Sequence, residues 1–227
     1  MSGIINFSNV MFKQLQWLII KDLRIDWRTK YPIAGILLYI TSLIITSYLA
    51  FTGFINPETW NALFWLILLF VSINAVAKSF AQEEDRSSYY FYLIKPSRII
   101  IAKLIYYGIY QLLLIAIALI VFSVFLGFPV KTSGPFFLNL ILGSLGLSSA
   151  FTMVSSISSK TNNNSVMMAI LGFPVIIPIL LLAISNSKIL VLGGSIADIT
   201  ANLITLLSVN VIIIALSFIL FPFTWKS

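Results

Sequence analysis

The sequence predicts an all-α integral membrane protein: six transmembrane helices preceded by an N-terminal amphipathic interfacial helix. Three observations predict it. Of the 227 residues, 59% are hydrophobic and 9% are charged, whereas a soluble domain is about 45–50% apolar and ~25% charged. The apolar residues fall into runs near the ~20 residues that a helix needs to cross a hydrocarbon core ~30 Å thick. No polar stretch is long enough to build a soluble domain, so residues 1–227 are read as a single transmembrane domain.

The first ten residues, MSGIINFSNV, carry no basic region ahead of an apolar core and no small-residue cleavage site, so they are not read as a signal peptide. Met11 is an alternative start. Residues 11–30 read as an amphipathic elbow helix. At ~100° per residue, Lys13, Lys21, Arg24 and Arg28 fall within about 80° of arc. Phe12, Leu15, Ile19, Ile20, Leu23 and Trp27 lie on the other side. That pattern suits a helix lying in the membrane interface, as a lipid anchor or as a dock for a partner.

The first span is expected at 33–54, opened by Pro32, whose missing N–H is harmless in a first helical turn. A turn at Asn56-Pro57-Glu58 leads to the second span at 60–77. The charged stretch 78–103 follows, then the third span at 104–126, ended by Gly127-Phe128-Pro129. The fourth is expected at 135–157, closed by the polar turn Ser158–Asn164. The fifth is expected at 166–185 and the sixth at 199–221. Between the last two, Ile189–Ile196 is apolar with two glycines and is read as a loop dipping back into the membrane.

Lysine and arginine counts set the expected orientation. Lys13, Lys21, Arg24, Arg28 and Lys30 precede the first span. Lys78, Arg86, Lys95, Arg98 and Lys103 lie in the 78–103 stretch, Lys160 in the later turn and Lys226 at the end. Only Lys131 and Lys188 fall on the other side. Both termini and the 78–103 segment are therefore expected in the cytoplasm, with the chain multi-pass.

Composition also excludes functions. The formal net charge is +7, but the basic residues flank spans, which fits topology signals and anionic lipid contact rather than nucleic acid. The chain has no cysteine and no histidine. Disulfides, thiolate chemistry, Cys/His metal sites, the commonest general base and the usual haem ligand are all absent. No charged residue is expected mid-span, which argues against proton- or sodium-driven transport, and no internal repeat suggests an inverted-repeat carrier. With no catalytic constellation and no G-x-x-x-x-G-K-[ST] loop, the chain is not expected to be an enzyme. It is expected to bind no cofactor or metal itself.

Four features carry the functional reading. The 78–103 segment, long for a connection between spans, contains the acidic run Glu83, Glu84, Asp85, then Arg86, then the apolar run Tyr89–Ile94 closed by Pro96. Acids favour a helix N-terminus, so it reads as a short cytoplasmic helix suited to a groove on a soluble partner. The fourth span holds Gly143, Ser144, Gly146 and Ser148, a small-residue stripe for helix packing or a dimer interface. Pro174 and Pro178, four apart on one helix face, mark a kink or hinge. Tyr89, Tyr90, Phe91, Tyr92, Tyr106, Tyr107 and Tyr110 fit an aromatic belt.

The order of these features resembles the CcmB family, the permease of the cytochrome c maturation haem exporter. The resemblance runs through Phe80, Glu83–Asp85, Ser87-Ser88, Tyr89–Ile94, Pro96 and Ala102-Lys103. It continues through Leu126-Gly127, the polar turn before the fifth span, and Pro174–Pro178 followed by Ile-Leu-Leu-Leu. The family often has glycine and an acid where this chain has Ser87 and Tyr90. The resemblance implies a protein of the bacterial cytoplasmic (inner) membrane with an ABC-2-type exporter permease architecture, a half-transporter working as a homodimer with a CcmA-type ATPase that binds ATP and Mg. It also implies a CcmC-type haem-handling membrane protein, a CcmD-type small subunit and, indirectly, a CcmE-type haem chaperone, with haem handled by the complex. On this reading Glu83, Glu84, Asp85, Arg86, Tyr89, Lys21, Arg24 and Arg28 contact the ATPase subunit. The alternatives are an ABC-2 permease exporting another lipid, drug or peptide, and a membrane scaffold without transport.

Overall fold

The computed structural model describes residues 13–24, 28, 31–51, 55–76, 95–159 and 164–226. Seven helices account for nearly all of them: α1 (13–24), α2 (Tyr31–Ala50), α3 (Pro57–Val76), α4 (Pro96–Leu126), α5 (Ser133–Ser158), α6 (Asn164–Leu192) and α7 (Ile196–Lys226). No strand occurs among the described residues. Helices α3 to α7 each contain a stretch long and apolar enough to cross a membrane, and Ala34–Ala50 of α2 is a shorter apolar helix.

Several helices outrun their expected spans. Helix α4 begins at Pro96, not at 104, so the last part of the 78–103 segment is helical. Lys95 is extended (φ −63°, ψ 135°) and Pro96 takes the first helical turn, where its fixed φ favours the helix and its absent N–H leaves nothing unpaired. The proline expected to stop a short helix instead starts a long one. At the other end α4 stops at Gly127, whose φ of +75° and ψ of −179° form a backbone conformation that glycine adopts freely.

The expected dipping loop is a correction too. Helix α6 continues through Leu192. Gly193 (φ +103°) and Gly194 then close it, their N–H groups donating to the carbonyls of Leu190 (3.2 Å) and Ile189 (2.8 Å). This pairing satisfies the last helical carbonyls. A side chain at 194 would meet Ile189 Cγ2 at 2.4 Å, so glycine is required there. Asp198, in the first turn of α7, reaches back to hold this turn: its Oδ2 accepts from the Ser195 N–H and hydroxyl, at 2.8 and 3.0 Å. Thr132 Oγ1 donates to the Gly194 carbonyl at 2.9 Å and ties the turn to the α4–α5 connection.

Helix α5 is the centre of the bundle. Of its membrane-length stretch, 72% is buried, against 28% for α4, α6 and α7. Its glycines and serines let neighbouring backbones approach closely. A Cβ on Gly143 would lie 2.6 Å from the Trp65 ring and 3.1 Å from Ala183 Cβ; one on Gly146 would lie 2.4 Å from Asn210 Oδ1. Gly143, Ser144, Gly146 and Ser148 are all buried inside the one chain, with α3 and α6 against Gly143 and α6 and α7 against Gly146.

Candidate coupling end and polar core

The two ends of the bundle differ in charge. One, called here the basic end, gathers Lys13, Lys21, Arg24, Arg28, Lys95, Arg98 and Lys103 around α1 and the start of α4. The opposite end carries Lys131 and a half-exposed Glu58–Lys188 ion pair at 3.4 Å.

At the basic end, α1 does not seat itself by a simple apolar face. Leu18 and Asp22 are buried, with Gln14, Leu15, Ile19 and Lys21 half-buried beside them. Trp17, Ile20 and Leu23 point outward, next to Lys13 and Arg24. The expected apolar stripe is thus split, because the polar residues Asp22 and Gln14 have specific partners on α4. The Arg98 guanidinium donates to the Gln14 side-chain carbonyl, and Lys103 Nζ lies 3.4 Å from Asp22 Oδ2. Of the residues expected to contact an ATPase, Lys21 is held 3.2 Å from Asp22 Oδ1, and Arg24 and Arg28 are exposed. Glu83, Glu84, Asp85, Arg86 and Tyr89 lie outside the described residues. Lys103 was expected to flank a span; with α4 starting at Pro96 it belongs to the helix and is buried.

Within the bundle, isolated polar residues of different helices meet. Trp65 Nε1 donates to Ser187 Oγ at 2.7 Å, and that hydroxyl donates to Asn61 Oδ1 at 2.6 Å. Asn61 Nδ2 donates to the Ile184 carbonyl at 3.0 Å. Asn139 Nδ2 donates to the Ala183 carbonyl at 2.9 Å, and Asn139 Oδ1 accepts from Asn186 Nδ2 at 3.0 Å. These bonds tie α3 and α5 to the last turns of α6. Elsewhere Gln111 Nε2 donates to Ser72 Oγ at 2.6 Å, joining α4 to α3, and Asn210 Nδ2 donates to the Leu142 carbonyl at 2.9 Å, joining α7 to α5. A buried polar group that lacks a partner is costly in a dry interior, so these pairings fix which helix faces meet. The sequence reading missed all of them. The available signal was a lone Asn, Gln or Ser inside an apolar run.

Pro174 and Pro178 sit within an unbroken α6. Beside them, α3, α5 and α6 frame an apolar groove of about 290 Å³, walled by Leu69, Ile73, Phe151, Met168, Gly172 and Ile176. Among the described residues no three His, Cys, Asp or Glu side chains gather where a metal ion could be held.

Compared with known families, the sequence matches the CcmB protein family over residues 13–225, nearly the whole chain. The chain belongs to the CcmB family. It is accordingly a permease subunit of the haem-exporter type of ABC transporter, a multi-pass inner-membrane protein whose partners include an ATPase and other Ccm components. No match was found among curated proteins or solved structures. The match to the CcmB family begins at Lys13, where the described part of α1 begins, and includes both the Asp22–Lys103 contact and the polar core.

Proposed function

We propose that this CcmB-family chain works mechanically. Two copies pair with two copies of a CcmA-type ATPase at the basic end, which faces the cytoplasm together with both termini. ATP hydrolysis in the partner drives a conformational change that releases haem-loaded CcmE-type chaperone from a neighbouring CcmC-type subunit, with a CcmD-type small subunit alongside. The 78–95 connection and the start of α4 receive the ATPase motion. Free haem does not pass through the chain's own interior.

The observation that carries the reading is the family match across residues 13–225. Two others support the mechanical role. The centre of the bundle is filled by α5, and the chain has no histidine with which to hold haem iron.

The test is a haem stain for c-type cytochromes in membranes of a strain lacking the gene, with and without a plasmid copy. Loss of staining restored by the copy is expected. Normal staining in the deletion strain would remove the haem assignment and leave an ABC-2 exporter of another cargo. Stoichiometric haem binding by the isolated chain, with a defined axial ligand, would overturn the mechanical role.

A further inference from the structure

The contact between α1 and α4 is built around buried charge. Asp22 presents one carboxylate oxygen to Lys21 Nζ at 3.2 Å and the other to Lys103 Nζ at 3.4 Å. The Asp22 and Lys103 side chains are only 7% and 5% exposed. The Lys103 ammonium also lies 5.7 Å from the centre of the Tyr107 ring, within range of a cation–π attraction. Arg98 and Gln14 supply a second point of attachment, nearer the start of both helices.

Exposed ion pairs hold little, because water and salt replace them freely. A buried pair behaves differently. Separating Asp22 from Lys103 leaves each charge in a poorly solvated place, which is strongly unfavourable even where the intact pair adds little net stability. The contact therefore resists partial opening. Two attachment points on each helix restrict both sliding and rotation.

We infer that the Asp22–Lys103 pair is a latch that locks α1 to the first two turns of α4, so that the two move as one body. In sequence, α4 directly follows the 78–95 connection. Motion delivered there reaches the bundle through α4 with α1 attached. This second step rests on the coupling role proposed above; the latch itself does not.

The test uses the full chain in lipid nanodiscs, alone and with its ATPase partner. In the chain alone, hydrogen exchange of the amides in 13–24 reads the latch. Exchange is expected to rise by on the order of ten- to a hundredfold in Asp22→Asn and in Lys103→Met. It is expected to return toward the wild-type rate in Asp22→Glu, which keeps the carboxylate, or in the charge exchange Asp22→Lys with Lys103→Asp. Unchanged exchange in the two single neutral variants would overturn the latch. So would failure of both charge-retaining variants to restore protection.

With the ATPase present, the effect of the chain on ATP hydrolysis is expected to fall about tenfold in the neutral variants while the partner still co-purifies, and to recover in Asp22→Glu. If α1 loosens but the ATPase effect persists, transmission through the latch is overturned and the latch stands. If the wild-type chain leaves the partner's rate unchanged, the proposed coupling role falls, and the exchange measurement still decides the latch.

Discussion

Gly143 offers a direct test of how tightly the centre of the bundle is packed. Adding one methyl group, Gly143→Ala, would place Cβ 2.6 Å from Trp65 Cη2, 3.1 Å from Trp65 Cζ3 and 3.1 Å from Ala183 Cβ. The first distance is too short for two carbons, so the ring must move by about 1 Å to reach the ~3.5–4.0 Å of normal contact. Trp65 is fully buried, and its indole N–H is committed to Ser187 at 2.7 Å. Overpacking of this kind costs about 1–3 kcal/mol, and weakening the indole hydrogen bond adds about 1 kcal/mol. Alanine returns about 1 kcal/mol as a better helix former than glycine. The expected net loss is therefore about 1–3 kcal/mol.

The assay is unfolding of the purified chain by titration of SDS into mild-detergent micelles, followed by tryptophan fluorescence. Gly35→Ala is the control. It makes the same chemical change on α2, where a Cβ would have nothing within 4 Å, and is expected to be neutral or slightly stabilising. Trp65→Phe removes the clashing edge of the ring, so in the double variant the penalty of Gly143→Ala should shrink by at least half, a coupling that a double-mutant cycle reads directly. The packing argument is refuted if Gly143→Ala unfolds at the same detergent ratio as Gly35→Ala, or if its penalty is unchanged in the Trp65→Phe background.

Ser187→Ala leaves the Trp65 N–H and Asn61 Oδ1 without their shared partner and should cost about 1–3 kcal/mol in the same titration. Gln111→Met should stay within about 1 kcal/mol of wild type, because it removes one hydrogen bond to Ser72 and also removes Gln111 Oε1, which has no hydrogen-bond partner among the described residues. Gly194→Ala should destabilise by about 1–3 kcal/mol, since its Cβ meets Ile189 of the same turn. Glu84→Lys should weaken co-purification of the ATPase without changing the SDS midpoint; undiminished co-purification would remove Glu84 from the interface.

Much of the fold was legible because hydropathy and basic flanks directly report what a bilayer accepts. The lengths of α4 and α6 were not. A helix of 31 residues is about 46 Å long and must project beyond a ~30 Å hydrocarbon core, so its polar first turns read as a connection. Ser185-Asn186-Ser187-Lys188 looked like the end of a span for the opposite reason. Asn186 and Ser187 face inward, toward Asn139, Asn61 and Trp65, and an average over a helix's circumference cannot tell an inward polar residue from an exposed one. Asp22 was hidden similarly. Counting basic residues around α1 described its surface, while its seat depends on one acid and a lysine far away in sequence.

Helix α5 is gripped unequally along its length. Toward the opposite end its side chain at Asn139 reaches across to α6, and its Leu142 carbonyl receives α7. Further along, Ser149, Thr152, Ser156 and Ser159 turn their hydroxyls back onto carbonyls of α5 itself. Hydrogen bonds that cross between helices must break when those helices shift past each other, whereas bonds returned to the same helix travel with it. At its start α5 is therefore held to α6 and α7 by bonds that a shift would break, whereas the hydroxyl bonds of Ser149, Thr152, Ser156 and Ser159, toward the end at which α1 is fastened to α4, would survive such a shift.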